Sequence, residues 1–233
     1  MTPAGPRAAR PWDRWPARGI IADLDGVLLD SSEARRAQWR WWANRVDADP
    51  DQVTAFAAGR RPADVVARFA PGVDADAELT ALGRRAEQLL RACRRGAGVR
   101  SFVRAVPPDR LAIVTGLDGA EARAHLQRAR VPSPAVLVTG DDVDIGRPDP
   151  AGHRLAAGQL GIDPAAMLAI ETTAIGLQAA HTLGMTCLLL GPASAQQATL
   201  APVVRLDDLR HVRVVVQPEG VTLHATREPA RWR

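Results

Sequence analysis

The rhythm of apolar positions changes twice along this chain. Residues 19 to 25, Gly-Ile-Ile-Ala-Asp-Leu-Asp, open as an unbroken apolar run and read as a buried strand. From residue 31 to about 95 the pattern is helical throughout. Ser31 or Ser32 can cap a helix that runs to about Val46. Asp51 to Ala57, Pro62 to Phe69 and Ala75 to Arg94 make further helical segments, broken at Gly59-Arg60-Arg61-Pro62 and at Pro71-Gly72. From Arg110 short apolar runs alternate with amphipathic stretches. Strands are predicted at Leu111–Val114, Ala135–Val138, Met167–Ile170 and Thr186–Leu190, and helices at Gly119–Arg130, Pro150–Leu160 and Ile175–Leu183. The segment from Val212 to His224, divided by Gln217-Pro218-Glu219-Gly220, reads as a hairpin.

Strand–helix alternation implies right-handed crossovers and an α/β fold. The expected architecture is a doubly wound, mostly parallel, Rossmann-like sheet with a small all-helical cap inserted after the first strand. Residues 19–30 and 98–233 then form the core, 31–97 the cap, and 1–18 a frayed tail that Trp12 and Trp15 pin in part to the surface. Such sheets take their ligands at the carboxyl ends of the strands. Asp23, Asp25, Thr115 and Glu171 all fall at that rim.

Composition narrows the function classes. A chain of 233 residues buries a real core. No apolar run approaches the roughly 18 residues a membrane span needs, and the N-terminus lacks the apolar segment of a secretory signal. All 30 basic residues are arginine, which lifts the pI to about 10.6 although the net charge is only +4. The arginines are interleaved with acids, as in Glu33-Ala34-Arg35-Arg36, and form no stripe suited to nucleic acid. Without lysine, Schiff-base chemistry on a lysine side chain is excluded. Cys93 and Cys187 show no metal-ligand spacing and read as buried thiols of a reducing cytoplasm. The five histidines, at 125, 153, 181, 211 and 224, have no mutual spacing that suggests a metal and read as structural.

The acid pair carries the chemistry. On a strand, period two sends Asp23 and Asp25 to the same side, where they repel unless a cation or a proton lies between them. Gly26 then permits a sharp turn or the close approach of a ligand. Such a pair suits phosphoryl transfer, one carboxylate attacking and the other moving a proton.

Asp23-Leu24-Asp25-Gly26-Val27, Thr115 after Ala112-Ile113-Val114, Gly146-Arg147-Pro148-Asp149-Pro150, and Glu171-Thr172-Thr173-Ala174-Ile175-Gly176 stand in order at predicted strand ends. Together they resemble the four motifs of the haloacid dehalogenase-like hydrolases. The resemblance covers nearly the whole chain after residue 18; the insertion resembles the cap of the beta-phosphoglucomutase-like branch, and Trp39, Trp42, Ala55-Phe56, Gly59-Arg60 and the closing Leu206-Asp207-Asp208-Leu209 with its hairpin look most similar to bacterial sugar- and polyol-phosphate phosphatases. The resemblance implies a nucleophile at Asp23, a general acid/base at Asp25, phosphate contacts from Thr115, Gly116 and Arg147, and Mg²⁺ held by Asp23, the Asp25 carbonyl and Glu171. It implies a small phosphorylated metabolite as substrate for a monomer or weak dimer, and no nucleic-acid or membrane partner.

Two positions depart from the pattern. Arg147 stands where most members have lysine, which keeps the cation and adds a fork able to bridge a carboxylate and a phosphate. Thr172 stands where this branch usually has aspartate, which removes a charged magnesium ligand. Mutases of the branch carry histidine where Arg35 stands, and this favours a phosphatase. In the cap, Arg35, Arg60 and Arg61 are candidates for substrate specificity, although a solvated loop accounts for Arg60 and Arg61 equally well. Trp39 and Trp42 are three residues apart and read as cap core, while Trp41 falls off that stripe, toward solvent or the cleft. Two readings other than the phosphatase stay open: a degenerate relative that binds a phosphorylated ligand without turnover, and a mutase-like phosphoryl-transfer enzyme.

Overall fold

The computed structural model describes residues 14–89, 91, 93–191 and 203–226; Trp12 and the start of the expected tail lie outside them. Strand β2 (Gly19–Asp23) is fully buried and lies inside a parallel sheet. The other strands of that sheet are β5 (Leu111–Val114), β6 (Val136–Val138), β7 (Met167–Glu171), β8 (Thr186–Leu190) and β9 (Val203–Leu206). Their order is β6-β5-β2-β7-β8-β9, with every pairing parallel. The chain therefore winds outward first on one side of β2 and then on the other. The crevice at that reversal is where such folds bind ligands.

Period two divides the strand side chains between the faces of the sheet. Ile20, Ile113 and Ile170 pack beneath α5 (Val99–Ala105) and α6 (Gly119–Arg128), in the same cluster as Phe102 and Leu126. Ile21, Ala112 and Ala169 pack against α7 (Ala151–Leu160) and α8 (Ala174–Thr182), with Ala156 and Leu177.

The expected tail gives way to structure before residue 19. Arg14–Ala17 form strand β1, paired antiparallel with β11 (Gly220–Ala225), which also pairs with β10 (Val212–Gln217). Trp15 is the cause: its side chain is buried in the core cluster opposite Leu223, and burial of a ring that size offsets the entropy of ordering the strand. The hairpin expected at 212–224 is present as β10 and β11.

Four helices occupy the insertion: α1 (Ser32–Arg45), α2 (Pro50–Ala57), α3 (Pro62–Phe69) and α4 (Ala75–Leu89). They enclose their own apolar cluster around Trp39, Trp42, Val53, Val65, Val66 and Leu82. Trp39 and Trp42 meet edge to face with centroids 5.8 Å apart. The Trp42 indole donates to Glu78 Oε2 at 3.0 Å, and the same carboxylate accepts from Arg45. Trp41 is half-buried on the flank of this cluster, beneath the Arg85 guanidinium at 5.7 Å, so neither expectation for it holds fully. Helix α4 ends at Leu89, short of Arg94, because Arg94–Arg95 (β4) pair antiparallel with Leu29–Asp30 (β3) where the chain crosses between cap and core. Gly98 follows with φ +82°, and a Cβ there would collide with the Leu209–Arg210 peptide.

Trp42→Ala removes the fully buried centre of the cap. We expect a loss of about 3–5 kcal/mol from the cap's unfolding free energy, read by denaturant titration; a loss below about 1 kcal/mol would mean that the cap is not built around this residue.

Candidate active site

Registry in the parallel sheet assembles the site. Asp23 lies opposite Val114 on β5, and Ala22 lies opposite Ile170 on β7. Thr115 and Glu171, each the next residue, are thus brought beside Asp23 at one rim. Gly26, with φ +80°, turns the chain back so that its N–H donates to the Leu29 carbonyl at 2.7 Å and Asp25 bridges to Leu29. A Cβ at Gly26 would sit 3.0 Å from Thr172 Cγ2, so the turn also lies close against the loop after β7.

Arg147 reaches into this rim from the loop before α7. Its Nη1 lies 3.2 Å from Asp23 Oδ2, and its Nη2 donates to the Val114 carbonyl at 2.7 Å and lies 3.5 Å from Glu171 Oε1. Asp23 Oδ1 also accepts from the Leu24 N–H at 2.9 Å. All three charged groups are buried. Burial opposes the charge on Arg147, but Asp23 and Glu171 outweigh it and hold its pKa above the ordinary value. Asp23 is held up at about 7: burial raises it most, Arg147 pulls it down, and repulsion from Glu171 pushes it up. Glu171 moves the other way: against the cost of burial, Arg147 and the His153 hydrogen bond hold it below the usual range.

His153 is a functional neighbour that spacing could not reveal. It is fully buried, with Nε2 2.9 Å from Glu171 Oε1, although 18 residues separate the two. Only the packing of α7 on the parallel sheet joins them. With His153 and Arg147 on one oxygen and the other packed toward Gly176, Glu171 does not line the cleft. Its Oε2 is buried and carries no hydrogen bond among the described residues, which leaves that oxygen open to a cation.

The other expected residues divide. Asp23, Asp25, Thr115, Gly116, Arg147, Arg35 and Arg60 all line a single cleft of about 790 Å³ between cap and core. Thr115 is buried, and its Oγ1 accepts from the Leu117 N–H at 3.3 Å. Gly116 is packed so closely on the cap that a Cβ there would lie 3.1 Å from the Arg60 carbonyl. The Arg60 guanidinium stacks 4.0 Å over the Phe56 ring. Arg61 is the exception. It is forked on Asp64 at 3.0 and 2.7 Å, donates to the Val143 carbonyl at 2.6 Å, and does not line this cleft. It tethers cap to core. Arg35 touches Asp25 directly, Nε to Oδ2 at 3.1 Å, while Ser31 Oγ donates to Asp25 Oδ1 at 2.6 Å.

The donor set for magnesium is thin. Among the described residues no group of three His, Cys, Asp or Glu side chains converges on a metal position. Facing the cleft are the Asp23 carboxylate and the Asp25 carbonyl, which accepts from Thr172 Oγ1 at 3.2 Å. Such a set fits a magnesium ion whose shell is completed by phosphate oxygens and water.

A family model described as haloacid dehalogenase-like hydrolase matches residues 20–190. The chain belongs to the haloacid dehalogenase-like hydrolases. Hexitol phosphatase A of Escherichia coli (strain K12) is 29% identical over 210 residues, 87% of this chain and 96% of that protein. Validoxylamine A 7'-phosphate phosphatase of Streptomyces hygroscopicus subsp. limoneus is 30% identical over 222 residues, 83% of this chain and 94% of that one. Among solved structures, CbbY from Rhodobacter sphaeroides in complex with phosphate superposes with TM-score 0.67 at 19% identity, covering 83% of this chain and 95% of that one. Hydrolases of this family generally use Mg²⁺.

Thr172→Asp adds a carboxylate beside the Asp25 carbonyl. The magnesium concentration for half-maximal activity should fall about tenfold, and calorimetric titration of magnesium in the presence of phosphate should show the same tightening; unchanged values would place residue 172 away from the metal. His125, buried on α6 beside Glu121 and Arg35, is lowered by burial and by Arg35 to about 4 and is neutral in the fold. The unfolded chain binds that proton at its ordinary 6.5, so this contribution to stability is full above pH 6.5 and is lost as the pH falls toward 4, by roughly 3 kcal/mol in all. His125→Phe should flatten the stability profile over that window in denaturant titrations.

Proposed function

We propose that the protein hydrolyses a small phosphomonoester, a sugar or polyol phosphate, through an aspartyl-phosphate on Asp23. The observation that carries this reading is the buried Arg147 guanidinium, which lies against Asp23 at the base of the cleft with Asp25 close by. A carboxylate held by a fixed cation is aimed, and the same cation stays in place for the oxygens of an incoming phosphoryl group. The names of two relatives that align along most of this chain, a hexitol phosphatase and a validoxylamine 7'-phosphate phosphatase, support the substrate class.

In the first step an Asp23 oxygen bonds to phosphorus as the bond to the leaving oxygen breaks, and Asp25 gives that oxygen a proton. In the second, Asp25 takes a proton from water, which bonds to phosphorus and releases Asp23. Thr115, the Gly116 N–H and Arg147 hold the phosphoryl oxygens. Magnesium, held by Asp23, the Asp25 carbonyl and Glu171, would supply charge neutralisation at the transferring group. The cap roofs the cleft and excludes bulk water. The free thiols Cys93 and Cys187 suit a cytoplasmic setting, and among the described residues no helix is long and apolar enough to cross a membrane.

The second reading, a binder without turnover, rests on Thr172. A p-nitrophenyl phosphate assay with magnesium separates the two. The enzyme reading expects turnover that Asp23→Asn lowers at least about 1,000-fold. Wild-type protein that binds inorganic phosphate yet turns over none of a panel of sugar and polyol phosphates would establish the binder instead.

A further inference from the structure

A chain of polar contacts crosses from the cap to the core through Arg35, and the phosphatase reading leaves its far end unused. It starts inside the cap, where buried Gln38 donates from Nε2 to the Leu82 carbonyl on α4 at 2.9 Å. Gln38 Oε1 accepts from Arg35 Nη1 at 3.0 Å. The guanidinium then reaches two core carboxylates, Asp25 Oδ2 from Nε at 3.1 Å and Glu121 Oε1 from Nη1 at 2.7 Å. Glu121 belongs to the first turn of α6, where its own N–H donates to the capping Asp118 at 2.8 Å. Neutral His125 backs it one turn later, Nε2 to Oε1 at 3.6 Å.

Glu121 resembles no motif residue and does not line the cleft. It is nonetheless mostly buried, with 13% of its side chain exposed, and burial of an acid without a purpose is costly. Its partner is equally enclosed, with 14% of the Arg35 side chain exposed. The planar guanidinium has a fixed fork, so fixing Nη1 between Gln38 and Glu121 fixes the direction in which Nε points. That direction is toward Asp25, whose other oxygen Ser31 holds.

We propose that Glu121 is a positioning residue which, through Arg35, sets the orientation of the Asp25 carboxyl when the cap is closed. The proposal rests on the phosphatase reading and adds to it a core residue that registers cap position: Arg35 rides on the cap helix, so its bridge between Glu121 and Asp25 exists only with the cap in this place. Proton delivery to the leaving oxygen is then tied to closure.

The test compares two leaving groups. An alkyl phosphate such as a hexitol phosphate releases a strongly basic alkoxide and needs the Asp25 proton as its P–O bond breaks. p-Nitrophenyl phosphate releases a weakly basic phenolate and needs it little. The ratio kcat/KM reports only the steps up to this first transfer. Glu121→Gln should lower kcat/KM for the alkyl phosphate about tenfold or more and leave the aryl value within about threefold. Arg35→Lys, which keeps the charge but not the fork, should give the same split, and the double variant should be no worse than either single one. Equal losses on both substrates would make Glu121 merely structural, and no loss on either would remove it from the reaction; either result overturns the proposal. Asp23→Asn in the same assays keeps the two claims apart. Activity surviving that change sinks the phosphatase reading, whereas its abolition together with an unsplit Glu121→Gln effect sinks only the positioning role.

Discussion

Everything at the rim depends on how one guanidinium is compensated. Arg147 is buried among Asp23, Glu171 and the Val114 carbonyl, where an unpaired cation would cost several kcal/mol. The two carboxylates in turn can lie so close only because the cation lies between them and His153 holds the deeper one. The arrangement leaves Glu171 charged and sequestered and Asp23 at the cleft. A lysine would supply one point charge here. The arginine fork touches both acids and a backbone carbonyl at once, which couples β2, β5 and β7 through their ends.

The cap answers the same problem from above. Arg35 presents a second buried guanidinium to Asp25, and Arg61 ties the neighbouring cap loop to the core through the Val143 carbonyl. One glycine from each side makes this approach possible, since Gly59 of the cap packs on Thr173 and Gly116 of the core packs on the Arg60 carbonyl. Two acids one residue apart on the chain are thus managed by two different arginines, one from the core and one from the cap. This division gives the two carboxylates distinct surroundings and so distinct roles.

Much of this was legible beforehand because it is local. The apolar runs at 19–23, 111–114 and 167–171 announced buried strands, and the polar residue at or just after the end of each run marked the rim. The cap helices carried their own breaks at Gly59 and Pro71-Gly72. Trp15 shows where locality failed: a short segment rich in Pro and Arg looked like a tail because its strand partner lies about 200 residues away, in β11. Strand β4 failed for the same reason, since only its pairing with Leu29–Asp30 ends the helix before it.

From the sequence alone came the acid pair, the order of the four motifs, the missing lysine and the threonine at 172, all matters of identity and spacing along one chain. Which oxygen meets which nitrogen came only with the tertiary structure. Glu171 could be placed beside Asp23 by strand order, but its contact with His153 came only with the packing of α7. Arg61 and Arg35 looked alike as cap arginines; their neighbours alone sent one to a backbone carbonyl and the other to an acid pair. Side-chain direction is settled by packing between elements distant along the chain, and that information is not carried by any local pattern.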